Sequence, residues 1–205
     1  DKEEVDSGTN PLLADTDGDG YSDMAEINAN TNPLLSSSSP NQAPTDLNTT
    51  APLTLAENHP VGTVVGEFNG TDPDVNSTLV YFLAPGNGDH NNSLFSLGTN
   101  GILTSQVMFD FESNASTYSL LVGVKDEYNA SLEKTFTVSL TNVNEFPYDL
   151  NSTTALTLTE NQPVGTVIGN LSALDPDANH SLSYSLISGS GDMGNSFFTM
   201  DGNGT

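Results

Sequence analysis

The sequence predicts an all-β protein built from tandem β-sandwiches, and three observations support this fold class. Short segments with alternating apolar and polar residues are typical of half-buried strands. They occupy residues 53–55, 63–68, 79–83, 118–124 and 136–140. Breakers such as Pro73 and Gly86–Asp89 separate them. No sustained helical period occurs in residues 45–143, and seven or so short strands in about 100 residues are typical of a two-sheet sandwich.

A domain-sized internal repeat supports the tandem arrangement. Glu57–Val64 recurs as Glu160–Val167, and Asp72–Asp74 recurs as Asp175–Asp177, both at a shift of 103 residues without a gap. A repeat of this length is a whole domain rather than one turn of a solenoid. The segment that joins the two copies, Asn142–Pro147, is therefore predicted to be an interdomain linker.

The second copy is expected to be incomplete, because the counterparts of the residues after Ile102, through Leu140, are missing from the sequence up to Thr205. An incomplete sandwich exposes sheet edges and part of its core. Either the sequence is a truncated piece, or another chain donates the missing strands and the protein is a filament subunit. Truncation is the preferred interpretation, and strand donation is the alternative.

The boundaries of the predicted domains follow from the same alignment. Asn41–Pro44 aligns with Asn144–Pro147 at the shift of 103, which places the start of the first sandwich. Four serines followed by Pro40 and Pro44 indicate a linker rather than a strand. The predicted order is an N-terminal segment with an acidic loop, a Ser/Pro linker, a complete repeat and an incomplete repeat, at residues 1–35, 36–44, 45–143 and 144–205.

The charge balance is strongly acidic, with 27 Asp and Glu residues against three lysines, no arginine and a formal net charge of −24. Nucleic acid and anionic lipid both bind clustered basic side chains, so neither is an expected partner. No apolar stretch approaches the roughly 20 residues of a membrane-spanning helix. Because cysteine is absent, metal held by carboxylates is the expected staple of these domains.

A twelve-residue calcium loop is the most specific motif of the sequence. Residues 15–26 have acids at loop positions 1, 3, 5 and 9, glycine at position 6 and glutamate at position 12. The predicted ligands are Asp15, Asp17, Asp19, the carbonyl of Tyr21, Asp23 and Glu26. The preceding segment, Thr9–Ala14, is too short for an EF-hand helix and contains Pro11.

A shorter repeat of 22 residues surrounds this loop. Thr9–Leu13 recurs as Thr31–Leu35, and Asp1–Glu4 matches Asp23–Glu26. With this repeat, residues 1–35 resemble the bacterial thrombospondin type 3 repeat, in which such loops follow one another in tandem. Dockerin modules are the alternative resemblance. Either one implies that Asp1–Glu4 is the end of a preceding loop.

Four acidic clusters in the sandwich repeats also require an explanation. They are Glu57, Asp110–Glu112, Asn142–Glu145 and Asp175–Asp177. If the fold brings them together, their carboxylates meet without a lysine or an arginine, and like charges at such spacing need a cation. Hard oxygen ligands favour calcium.

Five ordered motifs give residues 41–205 a resemblance to a known family. They are Leu-x-Leu-x-Glu-Asn-x-Pro-x-Gly-Thr from Leu53, Asp-Pro-Asp from Asp72, Asn-Gly-x-Leu from Asn100, Asp-x-Glu from Asp110 and Val-x-Val-x-Asp from Val122. The pattern resembles the bacterial cadherin-like repeat. The resemblance implies tandem Greek-key β-sandwiches of cadherin type, with calcium ions between successive repeats.

Carried over motif by motif, the resemblance implies a calcium site at the joint of the two copies and another at the upstream end of the first. The joint ligands would be Glu57, Asp110, Glu112, Asn142, Asn144, Glu145, Asp175 and Asp177. The upstream ligands would be Asp72, Asp74 and Asp126, at an end that faces the serine linker. The family linker reads Asp-x-Asn-Asp-Asn-x-Pro, whereas this one is one residue shorter, begins with Asn142 and has Glu145 in place of the second Asp. Fewer ions or weaker binding are expected.

These features predict a calcium-binding structural or adhesive segment of a large extracellular or cell-surface protein, with Ca²⁺ as its cofactor. The expected partner is a homotypic or heterotypic surface protein or a glycan, with head-to-tail self-association as a further option. No enzyme activity is expected, because His59, His90 and His180 lack neighbours at catalytic spacing. The alternatives are a spacer or carbohydrate-targeting module of a secreted enzyme, and the filament subunit described above.

Overall fold

The structure is a computed structural model that describes residues 6–205 and divides into two compact units. The first unit comprises the chain up to Leu55, His59–Met108 and Ser116–Leu140. The second unit comprises Ala56–Asn58, Phe109–Ala115 and Thr141–Thr205. Each unit is therefore assembled from segments that lie far apart in the sequence.

A two-sheet β-sandwich is formed by the first repeat. Its strands are β1 (Asp46–Thr49), β2 (Thr54–Ala56), β3 (Val64–Thr71), β4 (Val80–Leu83), β5 (Phe95–Leu97), β6 (Ile102–Ser105), β7 (Thr117–Lys125) and β8 (Ser131–Thr141). One sheet has the order β1-β3-β6-β5, and the other has the order β2-β8-β7-β4. The neighbouring strands pair in antiparallel registers. The predicted all-β sandwich is confirmed.

The core of this sandwich is made by the apolar residues of the alternating segments. The larger apolar side chains that are fully buried are Leu47, Leu103, Leu120, Val122, Val124 and Val138. Each contributes about 1.5–3 kcal/mol by leaving water. Phe68 and Phe136 add an edge-to-face contact with ring centroids 4.9 Å apart.

The outer face of β7 departs from simple alternation. Leu121 is nearly buried although it alternates with the core residues Leu120 and Val122. The segment after β4 covers it, since Ala84 N donates to the Leu121 carbonyl at 2.9 Å and Leu121 N donates to Asn92 Oδ1 at 3.1 Å. A periodicity argument misses this cover because it comes from an irregular segment.

The second repeat forms a two-stranded antiparallel sheet of β9 (Tyr148–Ser152) and β10 (Leu171–Leu174). The pairing of Ser152 with Leu171 repeats that of the corresponding residues of β1 and β3. Residues 153–170 contain no strand. Their ladder partners in the first repeat are β6 and β8, and this sequence contains no complete counterpart of either strand.

The N-terminal segment contains turns and the short helix α1 (Asp23–Ala29). Ser22 caps the helix by accepting from Ala25 N at 3.3 Å, and Asn30 ends it in the left-handed conformation with φ 59°. Residues 6 and 7 are also helical, and they correspond to the end of α1 in the 22-residue repeat. The matching residues 1–4 lie outside the described part of the chain.

The first residues of the predicted Ser/Pro linker continue this 22-residue repeat. Asn32 N donates to Ser38 Oγ at 2.9 Å, just as Asn10 N donates to Thr16 Oγ1 at 2.9 Å. Ser38 therefore takes the place of Thr16. The neighbouring serines stand where the calcium loop has acids. The segment after Asn32 therefore begins another copy of the 22-residue repeat but lacks the carboxylates of the loop.

Candidate calcium sites

The acidic loop of residues 15–26 is shaped by its own backbone amides. Asp15 accepts from Gly18 N at 2.7 Å and from Gly20 N at 3.0 Å. Gly20 has φ 103°, a conformation that favours glycine. Carboxylate oxygens of Asp15, Asp17 and Asp19 lie within 4.8 Å of one another. The loop thus gathers three of the predicted ligands at one point.

Glu26 contributes a further carboxylate from helix α1. It is fully buried, and neither of its oxygens has a hydrogen-bond partner among the described residues. One oxygen of Asp17 and one of Asp19 are buried and unpaired in the same sense. Burial, together with the negative charges of Asp17, Asp19, Asp23 and Asp15, raises the pKa of Glu26 above its ordinary value.

This donor set fits a calcium ion. Buried carboxylates without donors are costly unless a cation compensates them. Within residues 6–205 the only lysines are Lys125 and Lys134, and their amines donate to Asn129 and to Asn48. The available ligands are all oxygens, which favours calcium over a softer metal.

Asp23 has a different place from the other acids of the loop. Its carboxylate accepts from Thr16 N at 2.7 Å and from Thr16 Oγ1 at 2.8 Å. Burial opposes ionisation of Asp23, but the hydrogen bonds from Thr16 and Thr9 outweigh it and lower the pKa. Asp23 therefore ties the loop to the preceding Thr-Asn-Pro turn, and its role as a calcium ligand stays a prediction.

Three glutamates meet within the second unit, although they come from separate segments of the chain. Oxygens of Glu57, Glu112 and Glu145 lie within 4.8 Å of one another. The Glu112 side chain is exposed as a whole. Desolvation of its carboxylate, followed by the negative charges of Glu57, Glu145 and Asp177, nevertheless raises its pKa. The geometry brings together acids that sequence reasoning assigned to one joint site.

Glu57 anchors this joint cluster. It is 1% exposed, and its two oxygens accept from Phe111 N at 2.7 Å and from Val143 N at 2.8 Å. One buried carboxylate thus fixes the two backbone segments that carry Glu112 and Glu145. Hydrogen bonds to a charged acceptor are stronger than neutral ones, so this anchor contributes to the stability of the unit.

Asn142 supplies donors to the joint cluster. Its Nδ2 donates to Glu112 Oε1 at 2.9 Å and to Asp177 Oδ1 at 3.0 Å. Glu145 N donates to Asp177 Oδ2 at 2.7 Å. The linker therefore compensates part of the negative charge with amide donors, in agreement with the reduced charge of Asn142 relative to the family pattern.

The remaining predicted joint ligands form local turns in the structure. Asp110 Oδ1 accepts from Glu112 N at 3.0 Å, and Asp175 Oδ1 accepts from Asp177 N at 3.0 Å. Asn144 Nδ2 donates to the carbonyl of Glu145 at 2.9 Å. These three residues shape the segments that carry the clustered acids.

The upstream end of the first sandwich holds the last predicted group. Asp126 is 2% exposed and accepts from Asn41 Nδ2 at 2.8 Å and from two backbone amides. Burial raises its pKa, but the hydrogen bonds, that of Asn41 first, outweigh burial and lower it. Asp72 Oδ1 accepts from Asp74 N at 2.8 Å, and its other oxygen is buried without a partner among the described residues.

Sequence reasoning missed the polar residues that hold these acids. Asn41 and Gln42 bind the upstream acids, Asn58 Nδ2 donates to Glu145 Oε1 at 2.8 Å, and Thr16 binds Asp23. The alignment of Asn41-Gln42 with Asn144-Glu145 carried this signal, but it had served only to place a domain boundary.

Comparison with known proteins agrees with this geometry. Residues 51–141 match the cadherin domain family, and residues 1–14 and 15–36 match the bacterial TSP3 repeat family. Human Protocadherin Fat 4 is 37% identical over 159 residues, which cover 72% of this chain and 3% of that protein. Mouse Cadherin-related family member 3 is 32% identical over 114 residues, covering 55% and 13%. The chain thus spans a small part of each of these relatives.

Among solved structures, Drosophila N-cadherin EC1-4 superimposes with a TM-score of 0.56 at 21% identity, covering 82% of this chain and 40% of that one. This likeness supports the fold. Fold and sites together define a β-sandwich repeat protein with carboxylate clusters at the ends of its repeats. The chain is a cadherin-like repeat protein preceded by a bacterial TSP3 repeat segment. The TSP3 match also favours that family over dockerin.

Within the described residues, no helix is long and apolar enough to cross a membrane.

Proposed function

We propose that this chain is a calcium-binding structural and adhesive segment of a large extracellular or cell-surface protein, in which Ca²⁺ rigidifies the joints between modules. The observation that carries this proposal is the set of buried carboxylate oxygens in the 15–26 loop that have no hydrogen-bond partner in the described chain. Membership of two families of repeat modules supports it.

The three glutamates of the joint cluster have two different roles. Glu57 holds two backbone segments through its two oxygens. Glu112 and Glu145 offer carboxylates from those segments to the same point. Bound calcium would supply the positive charge that relieves their repulsion. Bound calcium, rather than apolar packing, would then hold the two segments together.

An extracellular setting agrees with the expected strength of binding. Extracellular calcium modules typically bind with dissociation constants of about 10⁻⁴–10⁻³ M, which suits millimolar surroundings. The partner we propose is a homotypic or heterotypic surface protein or a glycan. The segment needs no catalytic residue for this role, and we infer that it is not an enzyme.

Replacing Glu26 by glutamine tests the proposal at the loop. The variant keeps the shape of the side chain but removes the buried, unpaired carboxylate of Glu26 from the loop. We expect calcium affinity at this site to fall by more than about 100-fold, exceeding the loss typical of an outer-shell change. Isothermal titration calorimetry should then count one fewer bound ion than in the wild type. Glu133→Gln is the matched control, because Glu133 is exposed and belongs to no acidic group. An unchanged ion count in Glu26→Gln would contradict calcium binding in the loop.

A further inference from the structure

Gln42 lies between the calcium loop of the N-terminal segment and the acidic upstream end of the first sandwich, all within the first unit. Its backbone N donates to Asp74 Oδ2 at 2.6 Å. Its side-chain Nε2 donates to the hydroxyl of Tyr21, the residue at loop position 7. Tyr21 in turn stays beside the carboxylate cluster, because its N donates to Asp19 Oδ1 at 2.9 Å.

The joint between the two repeats uses the same backbone arrangement. Glu145 aligns with Gln42, and its N donates to Asp177 Oδ2 at 2.7 Å, the equivalent of the bond between Gln42 and Asp74. The side chain of Glu145 also reaches back to the preceding module, where it accepts from Asn58 beside Glu57. One position of the repeat therefore binds its own Asp-Pro-Asp loop and the acidic site before it.

The difference between glutamine and glutamate at this position fits the two neighbours. The side-chain amide of Asn58 donates a hydrogen bond, and a carboxylate such as that of Glu145 can accept it. Tyr21 offers a hydroxyl next to the acids of the 15–26 loop, so a carboxylate at position 42 would add a like charge there. An amide can bind the hydroxyl without that repulsion.

We infer that the upstream end of the first sandwich is a docking surface for the TSP3 calcium loop, and that Gln42 is the positioning residue that joins them. At this end of the first sandwich the loop occupies the position that the preceding cadherin-like repeat occupies at the joint Asn142–Pro147. A second contact supports the same docking, since Asn41 Nδ2 donates to the buried Asp126 at 2.8 Å and fixes the chain just before Gln42. The inference rests on the proposed function, because it makes calcium in the loop the condition for ordered docking.

Because the loop docks through Tyr21, calcium bound in the loop also affects the contact between the loop and the first sandwich. Tyr21 is held by Asp19 and is predicted to supply a carbonyl ligand, so its position depends on a closed loop. When the acids repel one another without a cation, Tyr21 loses that support. We therefore expect the bond between Tyr21 and Gln42 to form with calcium and to weaken without it.

Distances between two spin labels test this inference directly. The chain has no cysteine, so labels at Leu12→Cys and Glu133→Cys occupy only these exposed positions in the N-terminal segment and in the sandwich. With calcium, the unmodified background should give one narrow distance distribution. Gln42→Ala or Tyr21→Phe should raise the undocked population about fivefold, the effect of losing one ordinary hydrogen bond.

Gln162→Ala is the matched control, because Gln162 is exposed and lies outside the first unit. It should leave the distribution narrow. A distribution in Gln42→Ala and Tyr21→Phe that stays as narrow as that of the wild type would overturn the inference.

The Glu26→Gln variant in the same labelled background distinguishes a failure of the proposed calcium binding from a failure of the docking role of Gln42. If calorimetry detects no loss of an ion in that variant, the proposed calcium function of the loop fails. If an ion is lost and the distances still do not respond to Gln42→Ala, calcium binding stands and the docking role of Gln42 fails. Broadening by Glu26→Gln and by Gln42→Ala, with the ion retained only in Gln42→Ala, supports both.

Discussion

Replacing Glu57 by glutamine will destabilise the calcium-loaded chain by about 2–3 kcal/mol, because a buried charge-assisted hydrogen bond is lost. Both oxygens of Glu57 accept from backbone amides, of Phe111 and of Val143. A glutamine must turn its NH₂ group toward one of these donors. That donor is then left unpaired beside the buried side chain at position 57, and the joint also loses one carboxylate.

The melting temperature measured by calorimetry should fall by roughly 10 °C or more, given about 4–8 °C for each kcal/mol in a small domain. Glu160→Gln is the matched control, since Glu160 occupies the same position of the second repeat but is exposed. It should change stability by less than about 0.5 kcal/mol. In excess chelator the loss in Glu57→Gln should be smaller, because removal of its charge relieves Glu112 and Glu145. Equal losses for the two variants would contradict the anchoring role of Glu57.

The joint cluster was accessible to sequence reasoning because repeats preserve geometry. The shift of 103 residues located the joint, and the resemblance to cadherin-like repeats, carried over motif by motif, implied which acids meet there. Glu57, Glu112 and Glu145 do converge. Spacing alone could not indicate that Asp110 and Asp175 form turns, because the competing donors are backbone amides two residues along the chain.

The N-terminal segment illustrates another limit of sequence reasoning. The loop motif predicts a ligand role for Asp23, but it does not indicate that Thr16 donates two hydrogen bonds to the same carboxylate. Ser38, in a predicted linker, takes the structural place of Thr16 because any hydroxyl can accept from the asparagine amide. A motif defined by its acids contains no information on these hydroxyl contacts.

The sequence predicts that the second repeat is incomplete, but the alternation of its residues does not indicate which segments lack a partner strand. Its apolar segments have the same alternation as β2 and the start of β3, yet they form no strands. A strand needs a neighbour that completes its hydrogen-bond ladder, and local pattern cannot supply one. The pairing of β9 with β10 survives because both partners are present.

Removing calcium will lower the melting temperature and reverse its dependence on pH. With calcium at about 100 times the dissociation constant, one bound ion adds about 2.7 kcal/mol of stability. Withdrawing it with a chelator at neutral pH should lower the melting temperature by roughly 10–20 °C at 4–8 °C for each kcal/mol. The joint segment Asn142–Pro147 should then be cleaved more readily by a protease, because the acids that hold it repel one another.

The reversal follows from the signs of the pKa shifts. Without calcium the pKa values of Glu26 and Glu112 are raised above their ordinary 4.5 in the folded chain. The folded chain therefore binds protons that the unfolded chain releases, and stability rises as pH falls from the raised pKa toward 4.5. Asp23 and Asp126 have lowered pKa values, so their contribution is present above 3.8 and is lost only as pH falls through the lowered values. They do not change the trend in the window above 4.5.

With calcium the same two carboxylates must be ionised to bind, so protons compete and stability falls as pH falls through that window. Thermal melts near pH 5 and pH 7, each with calcium and with a chelator effective at both, measure the two slopes. The double variant Glu26→Gln and Glu112→Gln should flatten the slope of the chelated chain, whereas Glu133→Gln should not. Slopes of the same sign with and without calcium would mean that these two carboxylates do not bind calcium in their respective sites, because bound calcium and protons compete for the same oxygens.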